Sequence, residues 1–141
     1  GALIASVILF LILRWPEIPD RVALHYNTVG EVDRWGGKSS LLWLTGMMVF
    51  MYALLKVCAL FPRFWNMPIK ITDSNRDRVL LISKNMLAAM NAAMVLMFSY
   101  LIFTAPGGEP LNLWVFLPLM ALIFVPIVVY FIYIRKIASE R

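Results

Sequence analysis

Long apolar runs separated by short polar segments are the dominant pattern of this chain. As helices, three runs would cross the ~30 Å hydrocarbon core of a bilayer: residues 40–61, interrupted by Lys56, residues 80–105 and residues 111–134. A fourth run, residues 1–13, would cover only about 20 Å as a helix, so we expect a first span that is truncated here. A cleaved signal peptide is the alternative for this run, although no small-residue cleavage site follows it.

The apolar runs predict helices rather than the strands of a membrane barrel. Barrel strands alternate apolar and polar residues over about ten positions, whereas these runs are apolar throughout. A helix also satisfies its backbone hydrogen bonds within its own segment, as lipid requires. The predicted fold is therefore an all-α integral membrane protein, a single domain over residues 1–141 with four transmembrane helices. An ordered outer loop, 14–39, would follow the first helix, and a cytoplasmic loop, 62–79, the second.

The composition favours the same class of protein. Of 141 residues, 62% are hydrophobic and 15% are charged, and the mean hydropathy is +0.80. Soluble domains contain about 25% charged residues, and small domains leave much of their surface in water. An ordinary soluble enzyme and a disordered chain are therefore excluded. The single cysteine, Cys58, excludes a disulfide scaffold.

Basic residues collect on one predicted side of the membrane. Thirteen Lys and Arg against eight Asp and Glu give a net charge of +5. The outer loop carries four basic residues and the opposite side eight, among them Arg63, Lys70, Arg135 and Arg141. The positive-inside rule therefore predicts that both termini are cytoplasmic. Because this topology accounts for the basic charge, we expect the lipid bilayer, and no nucleic acid, as a partner.

The 26-residue polar segment between the first two spans is the most informative part of the sequence. Val22, Leu24 and Tyr26 recur at every second position, which predicts a short extended stretch, and Asn27 and Gly30 favour a turn. Two interpretations remain open: a cap folded over the helix ends, or a recognition surface for a peptide or protein. The residues of the recognition surface would be Pro19, Asp20, Arg21, His25, Asn27, Gly30, Asp33, Trp35 and Lys38.

The third span carries small and polar residues that suit contact with another helix. Small residues four positions apart let two helix backbones approach closely, and asparagine side chains hydrogen-bond across such contacts. The partner would be a helix of another protein, a second copy of the chain, or a helix of the same chain. The residues of this predicted packing surface are Asn85, Ala88, Ala89, Asn91, Ala92 and Ala93.

The sequence offers little for catalysis or for metal and cofactor binding. It has one His, one Cys and no acidic residue inside a span, and no glycine-rich phosphate loop. Met86, Met90, Met94 and Met97 recur at helical spacing, which suits either a Cu(I) path or simple core packing. We favour packing, and expect no enzyme activity, no cofactor and no bound metal.

The outer segment resembles a known family. The resemblance rests on residues that lie between two spans: Pro19-Asp20-Arg21, His25-Tyr26-Asn27, Gly30, Asp33-Arg34-Trp35-Gly36 and Lys38. In this order and spacing they resemble a family of uncharacterised bacterial membrane domains, which also forms the N-terminal part of SdpI-type immunity proteins. The chain shows no match to the C-terminal membrane domain of those proteins, and the resemblance supplies no catalytic residues.

The resemblance implies a small multi-span protein of the bacterial cytoplasmic membrane. SdpI-type proteins protect the producing cell from a secreted peptide toxin and can sequester a regulator at the membrane. We therefore predict a non-enzymatic protein of the immunity or signal-relay type, whose outer loop recognises a peptide or protein. The alternative is an accessory subunit of a larger membrane or transport complex, held through the third span.

Overall fold

The computed structural model describes residues 1–140. Arg141, counted above on the predicted cytoplasmic side, lies outside the described residues. Within them the elements follow in the order α1, Ala2–Arg14; β1, Arg21–Tyr26; β2, Val32–Gly37; α2, Ser40–Leu60; α3, Arg76–Thr104; and α4, Leu113–Ser139. Two short 3-10 turns, Pro62–Phe64 and Ala105–Gly107, follow α2 and α3.

Three of these helices are long and apolar enough to cross a membrane. They are α2, α3 with its following turn, and α4. This finding confirms the helical, membrane-type architecture. With 13 residues α1 is a shorter apolar helix, so its role as a fourth span stays a prediction.

Two of the three long helices extend beyond a predicted apolar boundary at one end, whereas α2, Ser40–Leu60, closely matches the predicted 40–61. The third begins at Arg76 instead of residue 80, and the fourth runs over Leu113–Ser139 instead of 111–134. Apolar runs end where charges begin, but backbone hydrogen bonding continues through charged residues that lie beyond the hydrocarbon. The helices therefore continue into the polar segments at one end of the bundle.

Helix α3 is the centre of the bundle, since it packs against α1, α2 and α4. The larger core lies among α1, α2, α3 and the hairpin; its members are Ile4, Val7, Leu11, Ile18, Val22, Leu41, Met48, Met94, Val95, Ile102 and Ala105. A smaller core joins the beginning of α3 to the end of α4 through Val79, Tyr130, Ile134 and Ile137. Most other large apolar side chains of α4 are exposed, as a helix in contact with lipid requires.

The segment between α1 and α2 contains an antiparallel hairpin, which the all-α description omits. Strand β1 pairs with β2 from Arg21 opposite Gly37 to Tyr26 opposite Val32, and the register shifts on both sides of His25. The hairpin lies at the end of the bundle that also carries the turn between α3 and α4. We call this the hairpin end; the opposite end carries Pro62–Phe64 and the end of α4.

Candidate functional site

The turn of the hairpin is organised by one asparagine. Asn27 accepts hydrogen bonds at Oδ1 from the backbone N–H of Val29 (3.1 Å) and of Glu31 (2.9 Å). Its Nδ2 donates to the Glu31 carboxylate at 3.1 Å, and its own backbone N–H donates to the Glu31 carbonyl at 2.8 Å. Asparagine commonly caps turns in this way. The side chain is therefore committed to shaping the turn.

The tip of the hairpin is tied to the connection between α3 and α4. The N–H of Leu111 donates to the carbonyl of Gly30 at 2.7 Å. Gly30 has φ +88°, and a Cβ there would lie 2.7 Å from the Leu111 carbonyl oxygen. Only glycine meets both conditions without strain.

A second tie joins β2 to the same connection. The indole ring of Trp35 lies against Gly108, where a Cβ would overlap the ring. Gly108 also has φ +62°. Two glycines, one on each side of the contact region, thus allow the hairpin and the α3–α4 connection to meet closely.

The base of the hairpin is held by apolar burial and by one ion pair. Val22 is 0% exposed and Ile18 5% exposed, so both belong to the main core. Lys38 donates its backbone N–H to the Asp20 carbonyl and its ammonium group to the Asp20 carboxylate, each at 3.0 Å. The same ammonium group lies 5.6 Å from the centroid of the Trp15 ring, in cation–π range.

The exposed face of the hairpin carries the remaining charges. His25 Nδ1 lies 2.6 Å from Asp33 Oδ1 across the two strands, and both side chains are exposed. Arg21 and Arg34 are also exposed, and within residues 1–140 neither forms an ion pair. The hairpin surface therefore exposes two unpaired cations in addition to a histidine–carboxylate pair.

A groove of about 380 Å³ separates β1 from the ends of α2, α3 and α4. This volume lies in the range of small-ligand and peptide pockets, about 300–1,000 Å³. The hairpin wall is formed by residues 23–28, and the helix wall is mainly apolar: Leu44, Leu101, Ala105, Leu111, Leu113, Phe116 and Leu117. One wall thus offers polar side chains and the other an apolar surface.

The predicted recognition residues divide between the groove and its surroundings. His25 and Asn27 line the groove. Asp33 does not line the groove but contacts His25, and Gly30 accepts a hydrogen bond from the groove residue Leu111. The others lie outside the groove lining: Pro19, Asp20, Arg21, Trp35 and Lys38.

Tyr26 lines the groove, and its pKa is shifted from the ordinary value of tyrosine. Its hydroxyl oxygen is buried, and no hydrogen bond to it meets normal geometry within residues 1–140. Burial raises the pKa of Tyr26 above 10.0; the neighbouring Thr104 hydroxyl opposes this shift in part, and Tyr100 adds to it. The neutral phenol is therefore the form that the folded hairpin favours.

The predicted helix-packing residues face in several directions on α3. Asn91 and Ala93 are buried, and Asn91 Nδ2 donates to the Tyr52 carbonyl on α2 at 3.1 Å. Exposed residues of the set are Asn85, Ala88, Ala89 and Ala92. Asn85 and Ala89 border a groove toward α4, and the other two border a groove toward α2. Within one chain, the buried pair serves the contact with its own helices.

Several residues of the site carried no sequence signal. Gly108, Leu111 and Phe116 come from the connection to α4 and from its first turns, far along the chain from the hairpin. The short segment between the third and fourth apolar runs gave no indication of what would rest on it. Only the packing of the hairpin on this connection reveals the helix wall of the groove.

Part of the chain is similar to an uncharacterised domain. Residues 2–49 match the family model described as a domain of unknown function, DUF1648. The matched stretch runs from α1 through the hairpin into α2, and so contains every predicted recognition residue.

A relative resembles nearly the whole chain. The chain is 26% identical to an uncharacterized protein of the archaeon Archaeoglobus fulgidus, over 97% of its own length and 84% of that relative. No solved structure matches this chain. The similarity therefore extends beyond the hairpin region to the long helices.

Proposed function

We propose that this chain is a non-enzymatic membrane protein that recognises a peptide or protein segment in the groove beside β1. The observation that carries the proposal is the groove itself, with polar hairpin groups on one wall and apolar helix ends on the other. Such a combination suits a peptide, which brings both backbone amides and apolar side chains. The proposed activity is binding.

The rigidity of the hairpin supports this proposal. Val22 anchors its base in the core, Asn27 shapes its turn, and Gly30 and Trp35 rest on the α3–α4 connection. A wall that is ordered before the ligand arrives loses less conformational entropy on binding. A mere cap over the helix ends would not require an open groove beneath it.

The role that we propose in the cell follows the resemblance to SdpI-type immunity proteins. In this proposal the hairpin faces the outside of the bacterial cytoplasmic membrane, and binding of a peptide there confers protection or relays a signal. The match over residues 2–49 covers α1 and the whole hairpin, and the proposed role itself rests on the resemblance alone.

Orientation can be tested through a single introduced cysteine. Val29, at the hairpin tip, is 63% exposed, and Cys58 is the native thiol to remove. In a Cys58→Ser background, Val29→Cys should react with a membrane-impermeant maleimide on intact cells. Ser139→Cys, at the end of α4, should react only after the cells are opened. Labelling in the reverse order would contradict the proposed topology.

Groove recognition can be tested by selecting peptides on the purified protein in lipid nanodiscs. A displayed library of short random peptides is the probe. Leu117 lines the groove and is 59% exposed, so Leu117→Trp should fill the groove without disturbing the core. The matched control is Leu122→Trp. Leu122 is 47% exposed on the same helix and lies outside the groove lining.

Peptides selected on the wild type should bind the Leu122→Trp protein equally and lose most of their affinity for the Leu117→Trp protein. His25→Ala and Asn27→Ala should weaken the same peptides from the opposite wall. Enrichment of no peptide, or equal binding to all variants, would refute recognition in the groove.

The second candidate function is that of an accessory subunit in a larger membrane complex. The observation that favours it is the exposed face formed by Asn85, Ala88, Ala89 and Ala92, spaced so that all four lie on one side of α3. Small residues there would admit a helix of a partner protein or of a second copy.

This candidate predicts that bulky substitutions break an assembly. Ala89→Leu combined with Ala92→Leu should dissociate a complex that is recovered from native membranes in mild detergent. The control is Leu96→Met, because Leu96 is 44% exposed on the same helix and keeps its volume in this exchange. A chain that is monomeric with or without these substitutions would exclude this function.

A further inference from the structure

The groove runs along the edge of β1. Six consecutive residues, 23–28, line it. Successive side chains of a strand point to opposite faces of the sheet. Residues 23–26 of β1 line the groove together with residues 27 and 28 of the turn, and the pairing register shifts on both sides of His25. We therefore infer that the groove follows the strand edge and not a single face. The groove faces the backbone of β1 as well as its side chains.

This edge of β1 has no partner strand. The sheet has two strands, and β1 pairs only with β2. Within residues 1–140, no other backbone hydrogen bond involves residues 22–26. The backbone donors and acceptors that a third strand would use are therefore unpaired along this edge, and they become accessible after the buried Val22 and Ala23. Proteins usually cover or blunt such an edge, because it invites pairing with another chain.

The surroundings of the edge limit what can pair with it. The hydrogen bond between Gly30 and Leu111 holds the hairpin tip beside Leu111, which lines the groove. Leu44, Leu101 and Phe116 form an apolar surface opposite the hairpin wall. A strand lying here would place alternate side chains on that apolar surface and the others toward water.

We propose that the groove binds an extended peptide segment, with apolar residues at alternate positions, as a third strand on the free edge of β1. This inference rests on the proposed recognition function and specifies its partner as an extended peptide. Binding by strand addition takes affinity from main-chain hydrogen bonds and selectivity from pockets for alternate side chains. A helical segment would bring no free backbone groups to the edge.

A tethered probe tests this mode of binding. Thr28 is exposed at the end of the groove, so Thr28→Cys in the Cys58→Ser background can hold a peptide through a disulfide. The probe is an alternating Val–Thr peptide on a Gly-Gly linker. Two further probes carry N-methyl groups on either the odd or the even residues. Amide hydrogen exchange of β1 and of the probe is measured in nanodiscs.

The parent probe should slow exchange of the β1 edge amides. Because strand amides alternate in direction, one methylated probe should lose about tenfold or more of this protection and the other should keep it. Leu117→Trp, which fills the groove, should remove protection by every probe.

The other outcomes separate the inference from the proposed function. Equal protection by both methylated probes, or by a tethered alkyl chain, would mean that the groove holds apolar groups without strand pairing. Strand addition would also be overturned if both methylated probes lost the protection of the β1 amides. The same holds if the parent probe gave no protection while selected peptides still bound the groove. In either case recognition in the groove would remain supported. Failure of both the tethered probes and the peptide selection would refute the two together.

Discussion

The indole ring of Trp35 rests directly on Gly108, so that β2 and the α3–α4 connection share one contact despite their distance in the sequence. Gly30 makes the matching contact from the hairpin tip, through its bond to Leu111. Together the two glycines hold the hairpin over the helix ends, and the groove beside β1 exists because of this arrangement. The predictions below test these contacts one by one.

Gly108→Ala should loosen β2. An alanine at φ +62° is strained by about 1–3 kcal/mol, and its Cβ would also displace the Trp35 ring. We expect faster amide exchange in β2 and earlier proteolysis within the hairpin. Gly107→Ala is the control, since nothing lies within 4 Å of its Cβ position. Similar behaviour of the two variants would contradict the Trp35–Gly108 contact.

Gly30→Ala should detach the hairpin tip from Leu111. The substitution meets an unfavourable φ of +88° and a carbonyl oxygen 2.7 Å from the new Cβ. Peptide binding in the groove should weaken, and the Leu111 amide should exchange faster. Gly46→Ala is the counterpart within α2, where a Cβ has open space; it should stabilise the helix by about 0.5–1 kcal/mol. A neutral Gly30→Ala would show that the tip is not tied.

Asn27→Ala should destabilise the turn by about 1–2 kcal/mol, because the Val29 and Glu31 amides lose their acceptor. Amide exchange at these two positions measures the effect directly. Thr28→Ala changes the next residue of the same groove wall, which forms no side-chain hydrogen bond within residues 1–140. Equal exchange rates in the two variants would mean that the asparagine does not organise the turn.

High pH should release the hairpin through Tyr26. Burial raises the pKa of Tyr26 above its ordinary 10.0, so the unfolded hairpin loses the proton first as pH rises. Its contribution to stability is complete below pH 10 and declines as pH rises through the raised pKa. Tyrosinate absorbance together with proteolysis can follow this transition. Tyr26→Phe should remove the step, because phenylalanine has no proton to lose. An unchanged pH profile in this variant would contradict the assignment to Tyr26.

At the opposite end, low pH should loosen the end of α4 from the start of α3. Arg78 donates to the Glu140 carboxylate at 2.7 Å; this hydrogen bond, and then the guanidinium charge, hold the pKa of Glu140 below 4.5. The contribution is present above the ordinary pKa and is lost as pH falls through the lowered one. A side-chain NMR titration should show the low pKa in the wild type and its return toward 4.5 in Arg78→Gln. The same titration in both proteins would refute the pair.

The hairpin illustrates how far local reasoning reaches. Alternation at Val22, Leu24 and Tyr26 predicted an extended stretch, and Asn27 with Gly30 predicted a turn; the structure has β1 and a turn at these positions. The second strand was not predicted, because residues 32–37 show no alternation and include two glycines. A Cβ at Gly36 would overlap the exposed Leu24 side chain across the hairpin and force it to move, a relationship that emerges only once the strands pair.

The long helices follow from the sequence because lipid allows few alternatives. A run of about twenty mostly apolar residues inside a bilayer has to satisfy its own backbone hydrogen bonds, and a helix does so locally. Composition and hydropathy therefore determined the three long apolar helices without any knowledge of their neighbours. What the tertiary structure alone decided is the site: which edge of β1 stays open, which helix ends face it, and which glycines admit the contact. These depend on residues distant in the chain meeting in space, and local pattern carries no information about such meetings.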